Sequence, residues 1–154
     1  MKIEVLVNNT TKAAVNERLV KKTAREVIIG EGNAFPSGGS IELSVVFVSP
    51  ARIRQLNKQY RAHDSVTDVL SFAEADIPGN GQADRPAVLG ELVICAQQVK
   101  KDAQDSNVSL KRELAWVVAH GVLHLFGYDH EIGTDDAWTM REKEEFYLSN
   151  LNIF

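Results

Sequence analysis

With 154 residues, 44% hydrophobic and 25% charged, the chain fits one globular domain and is too rich in apolar residues to be disordered or fibrous. A net charge of −4 and a pI near 5.6 exclude a protein that coats nucleic acid through overall positive charge, so contact with RNA or DNA has to run through a local basic patch. The single cysteine, Cys95, excludes an intramolecular disulfide and suits a reducing compartment.

The start of the chain reads as a strand, Ile3 to Val7, stopped by Asn8-Asn9. Glu4 and the two asparagines interrupt the apolar stretch a signal peptide would need, and no run approaches the roughly 20 apolar residues that span a bilayer. A cytoplasmic protein without a membrane partner is the expectation. From Thr11 to Ile29 apolar residues recur at helical spacing: Ala14, Val15, Leu19, Val20, Ala24, Val27 and Ile28. Glycines and a proline make Gly30 to Ser40 a loop. Ile41 to Val48 begins by alternating and ends apolar, as a strand buried on both faces would.

Ser49-Pro50 predicts a helix start, a hydroxyl cap with proline in the first turn, and that helix carries Ile53, Leu56 and Tyr60 on one side. Val69 to Ala73 reads as a third strand, Ile77 to Pro86 as a surface loop and Leu89 to Ile94 as a fourth strand. Helix follows from Ala96 to Asp105, then a second one capped by Ser109, and a last one capped by Asp135 with Trp138, Tyr147 and Leu148 inward. The layout is α+β, a single domain over residues 1–154 with about four strands and about five helices.

The feature that carries chemistry is His120-Gly-Val-Leu-His124-Leu-Phe-Gly127-Tyr-Asp-His130. His120 and His124 are four apart, so on a helix they share a face and can converge on one ion. Gly127 stands where a left-handed residue would end the helix, after which the chain can double back and present His130. Three imidazole ligands leave the fourth tetrahedral position open, the layout of a catalytic zinc site. The spacing is that of the metzincin zinc helix, but Gly121 replaces the glutamate that serves those proteases as general base. Zinc suits the ligand set; nickel, copper or cobalt would also suit three imidazoles.

The same segment resembles the signature of the YbeY family of bacterial endoribonucleases, the rRNA maturation factors. Leu56-Asn-Lys-Gln-Tyr-Arg61, Thr67-Asp-Val-Leu-Ser-Phe72 and, more weakly, Leu89-Gly-Glu-Leu-Val-Ile94 are similar to further family segments. The likeness spans about residues 40 to 150, departing at Val66, where many relatives have proline. It implies a mixed sheet packed on helices, with one zinc ion held by His120, His124 and His130. It also implies a metal-dependent, single-strand-specific endoribonuclease acting with ribosomal RNA and the small ribosomal subunit, in 16S rRNA 3′-end maturation and ribosome quality control. The family's functional arginine falls on Arg61, which would stabilise charge on the scissile phosphate while metal-activated water or the RNA's own 2′-hydroxyl attacks.

Arg52, Arg54, Lys58 and Arg61 make a basic stretch without an acid between Pro50 and Arg61. The first three are candidate RNA contacts, although a charge run is more often a solvated helix face. Asp129 beside a ligand is a candidate for supporting the metal site. His63 could assist proton transfer, Asp68 suits a structural role, and Cys95, Trp116 and Trp138 read as core. Two rival readings are a metalloprotease-like hydrolase, against which Gly121 counts, and a non-catalytic ribosome-associated factor with a structural metal.

Overall fold

A computed structural model describes residues 2–32, 39–73, 87–128 and 134–153, with backbone alone at 134–138. Its elements are β1 (Lys2–Asn9), α1 (Glu17–Glu31), β2 (Ser40–Phe47), α2 (Pro50–Arg61), β3 (Val69–Ala73), β4 (Ala87–Ile94), α3 (Ala96–Asp105), α4 (Leu110–Leu125) and α5 (Thr134–Asn150). They form the expected α+β domain. The sheet order is β1-β2-β4-β3. β1, β2 and β4 run parallel and β3 is antiparallel to β4, so the sheet is mixed.

Alternation decides which helices cover which face. Ile41, Leu43, Val45 and Phe47 of β2 are all at most 1% exposed and share a core with residues of α1, α3, α4 and α5. Each such side chain contributes about 2 kcal/mol by leaving water. On the opposite face, among the described residues, α2 supplies the cover: Ile53 and Leu56 pack with Val46, Val48, Leu70, Phe72 and Val93. A helix of 12 residues spans only about 18 Å. Glu42, Ser44 and Val46 stay only partly buried, so β2 is fully buried on one face and not on both as expected.

β1 runs through Asn9, α1 through Glu31 and β4 from Ala87, each one or two residues beyond the sequence reading, and the starts of α1 and α5 differ as well. Helix α1 begins at Glu17 rather than Thr11. Asn16 caps it, its side-chain oxygen accepting from the Leu19 amide at 3.1 Å. Before it, Asn9 organises a separate turn, accepting from the amide and hydroxyl of Thr11 and donating to the Ala13 carbonyl. Short amide side chains thus offer the backbone partners that a helix would otherwise have to supply. Helix α5 already includes Thr134, so Asp135 lies in its first turn rather than at its cap. The Trp138 side chain lies outside the described residues, whereas Tyr147 and Leu148 are buried as expected.

The helical layer is fastened by Glu31, at the end of α1. Its carboxylate accepts from Tyr128 at 2.7 Å, from Lys143 at 3.0 Å and from Tyr147. Burial pushes its pKa up, but the two phenol hydrogen bonds and the Lys143 ion pair outweigh that, leaving it below the usual 4.5. A carboxylate lowered in the folded state stabilises above its unfolded pKa, and the contribution is lost as pH falls through the folded value. Glu31→Gln is expected to cost about 2 kcal/mol at pH 7, with the gap to wild type closing below about pH 4.5 in urea titrations.

Candidate metal centre and cleft

Helix α4 carries the central motif. Ser109 caps it, accepting from the Arg112 amide at 3.1 Å, and eight of its residues from Leu114 to Leu123 are buried. The helix lies hard against β3 and β4. The Ser71 hydroxyl donates to the Gly121 carbonyl at 3.2 Å, and a Cβ on Gly121 would stand 2.9 Å from Leu92 Cδ2 and 3.4 Å from Ser71 Oγ. The position after His120 therefore faces the sheet, and a glutamate there would drive its side chain into Leu92. Close helix-on-sheet packing accounts for the glycine.

The helix ends as its sequence predicts. Gly127 has φ +97°, its amide donates to the His124 carbonyl at 2.9 Å, and the Tyr128 amide donates to Leu123 at 3.2 Å. That pair of bonds is a Schellman motif. Among the described residues no atom lies within 4 Å of where a Cβ on Gly127 would be, and the positive φ is what favours glycine there.

His120 and His124 meet on the exposed side of α4. Their Nε2 atoms are 3.0 Å apart and their rings are at 84°. On the other side of its ring, His120 Nδ1 lies 2.7 Å from Glu144 Oε1. A carboxylate accepts, so that contact favours the proton on Nδ1 and turns the Nε2 lone pair toward His124 and the cleft. Two nitrogens bound to one tetrahedral zinc ion stand about 3.3 Å apart; the observed separation and donor chemistry fit such an ion. His130 and Asp129 lie outside the described residues.

Glu144, on α5, is 7% exposed and was not singled out from the sequence. Its second oxygen accepts from Trp116 Nε1 at 2.8 Å, and the Trp116 indole stacks on His120 at 4.8 Å. Trp116 is thus more than the core residue it was expected to be, since it braces the histidine and the carboxylate that orients it. This is the arrangement in which an outer carboxylate fixes the tautomer of a metal-binding imidazole.

The two histidines open into a cleft of about 660 Å³, whose walls include Asn57, Arg61, His63, Thr67 and Asp68. Helix α2 ends in a left-handed Ala62 (φ 60°), which turns the chain and leaves Arg61 against β3. The Arg61 guanidinium donates to the Ser71 carbonyl at 2.7 Å and to the Tyr60 carbonyl at 3.3 Å, and lies 5.1 Å from the centre of the Phe72 ring. Arg61 thus shares the cleft with the histidines. Arg54 does not: it pairs with Asp64 at 2.7 Å on the surface. Arg52 donates to Gln55, and Lys58 is exposed. Cys95 is fully buried, as expected.

Beside the cleft lie three carboxylates that sequence reading did not bring together. Asp68, Asp102 and Glu113 place oxygen atoms within 4.8 Å of one another, a spacing at which they could share a proton or a cation. Burial, then the neighbouring Asp102, raises the pKa of Asp68, and the same causes with Asp68 added raise Glu113.

The family model "Endoribonuclease YbeY" matches residues 6–152. The chain belongs to the YbeY endoribonuclease family. A YbeY endoribonuclease of Pelotomaculum thermopropionicum is 42% identical over 97% of both chains, and one of Roseiflexus castenholzii is 38% identical over 98% of this chain and 93% of its own. The solution structure of TM1509 from Thermotoga maritima matches with a TM-score of 0.60 and 31% identity, covering 94% of this chain and 87% of that one. The likeness to that structure thus extends beyond the histidine helix, across sheet and helices together. Among the described residues, no helix is long and apolar enough to cross a membrane.

Proposed function

We infer that the chain is a metal-dependent endoribonuclease that cuts single-stranded RNA. The observation that carries this reading is the His120–His124 pair, with Glu144 at His120, lining one cleft with Arg61. His120, His124 and His130 are the ligands of one divalent ion, zinc by preference for a nitrogen set. When bound, that ion supplies a Lewis acid for a phosphoryl oxygen and brings the pKa of water toward about 7.

The protein's own contribution is orientation and charge. Glu144 keeps His120 in the tautomer that offers Nε2 to the cleft. Two carbonyls fix the Arg61 guanidinium, and its remaining N–H groups can hold a phosphate whose charge rises during cleavage. Being held beforehand, the guanidinium has little reorganisation to undergo. The nucleophile is water or the RNA's 2′-hydroxyl; a 2′,3′-cyclic phosphate at the product end requires the latter. The relatives named as endoribonucleases support RNA as substrate; the motif resemblance extends the proposal to ribosomal RNA of the small subunit, with 16S rRNA 3′-end maturation and ribosome quality control in the cytoplasm as the setting.

Arg61→Ala is expected to slow cleavage of a single-stranded RNA by about 10²-fold with metal content unchanged. Full activity in that variant would remove Arg61 from the mechanism. The position after His120 supports the nuclease over a protease, because no base can stand there without displacing Leu92.

A further inference from the structure

A second groove is lined by Phe72, the residue over whose ring Arg61 lies. It has a volume of about 530 Å³ and is lined by residues that include Tyr60, Phe72, Val93, Arg52 and Glu91. Phe72 separates the two spaces: Arg61, which walls the histidine cleft, lies over its ring at 5.1 Å, while Tyr60 meets it edge-on at 5.3 Å and 75°. Tyr60 is 54% exposed, an aromatic side chain held at a fixed angle yet open to solvent. Its floor is apolar, with Val46, Val48 and Val93 of the sheet.

We propose that this groove is a nucleobase subsite, in which Tyr60 stacks the base next to the phosphate held by Arg61. The proposal rests on the ribonuclease reading and deepens it. Three observations select a base over other occupants. Arg61 walls the cleft and lies over the ring of Phe72, which lines the groove, so the base next to a phosphate on Arg61 is placed beside Tyr60. Arg52 at the edge complements the sugar-phosphate chain, whereas the Glu91 carboxylate repels a phosphate and accepts hydrogen bonds from an exocyclic amine of a base. An aromatic face beside cationic side chains is the arrangement that grips single strands without demanding a sequence, because every base has a π-face.

The test is steady-state cleavage of a short single-stranded RNA by the full chain with its metal, comparing wild type, Tyr60→Ala and Tyr60→Phe. A second RNA lacks the bases flanking the cleavage point. The expected result is a KM raised about tenfold in Tyr60→Ala with kcat changed far less, restored in Tyr60→Phe. Wild type should lose about tenfold on the abasic RNA, and Tyr60→Ala should lose little more. An unchanged KM in Tyr60→Ala, or a full abasic penalty persisting in that variant, overturns the subsite and leaves the groove to a partner other than RNA. The abasic RNA tests wild type directly, so the outcome does not depend on the variant's stability. Absence of any RNA cleavage by wild type would overturn the ribonuclease reading itself, and the subsite with it.

Discussion

Replacing His124 by alanine is expected to lower single-strand RNA cleavage by about a thousandfold while the protein still unfolds as one cooperative unit. His124 is only half-buried and stands at the cleft, so its loss opens no large core cavity. It removes one of two nitrogens that face each other at 3.0 Å and, with it, a ligand of the proposed ion. Lewis-acid stabilisation and water activation are together worth several kcal/mol, and about 4 kcal/mol is a thousandfold in rate. Single-turnover rates and a thermal melt on the same sample check both halves. A structural metal predicts the opposite pattern, a collapse of the melt.

Glu144→Ala should produce the second-largest effect, and through two routes at once. Removing the carboxylate strips the acceptor from Trp116 Nε1 and from His120 Nδ1 in a buried setting. Each orphaned donor costs about 1–3 kcal/mol, so a loss of roughly 2–6 kcal/mol in urea unfolding is expected. Metal affinity should fall by about 10–100-fold, because the imidazole is no longer held in one tautomer and one orientation. Glu144→Gln separates the routes: its single carbonyl oxygen can serve one donor well, so stability recovers more than affinity. Competition with a chromogenic chelator measures the affinity. Unchanged affinity in both variants would reduce Glu144 to a packing role.

What could be read in advance divides along the range of the interactions. The ends of α2 and α4 were legible because caps are set within a few residues: Ser49 and Ser109 accept from amides three positions on. The Gly127 turn was legible because positive φ has a cheap residue. The histidine pair followed from helical period alone. Glu144 was not legible, because it reaches His120 from α5, 24 residues away, and one glutamate among several on an exposed-looking helix carries no mark. The trio of Asp68, Asp102 and Glu113 is hidden for the same reason, its members arriving from the start of β3, from α3 and from α4. The start of α1 was misread because apolar spacing runs on through Ala14 and Val15, while Asn9 and Asn16 make competing bonds that spacing does not register. Gly121 was read as the loss of a base; its packing against Leu92 gives it a positive reason to be glycine.

The dependence of RNA cleavage on bound metal bears most directly on the function inferred from this site. Protein stripped by a chelator and then dialysed should have lost nearly all cleavage of single-stranded RNA. Titrating zinc back should restore activity along a line that breaks at one ion per chain, with nickel or cobalt giving partial recovery. Cleavage that persists undiminished in protein shown by elemental analysis to be metal-free would contradict a catalytic ion at His120, His124 and His130.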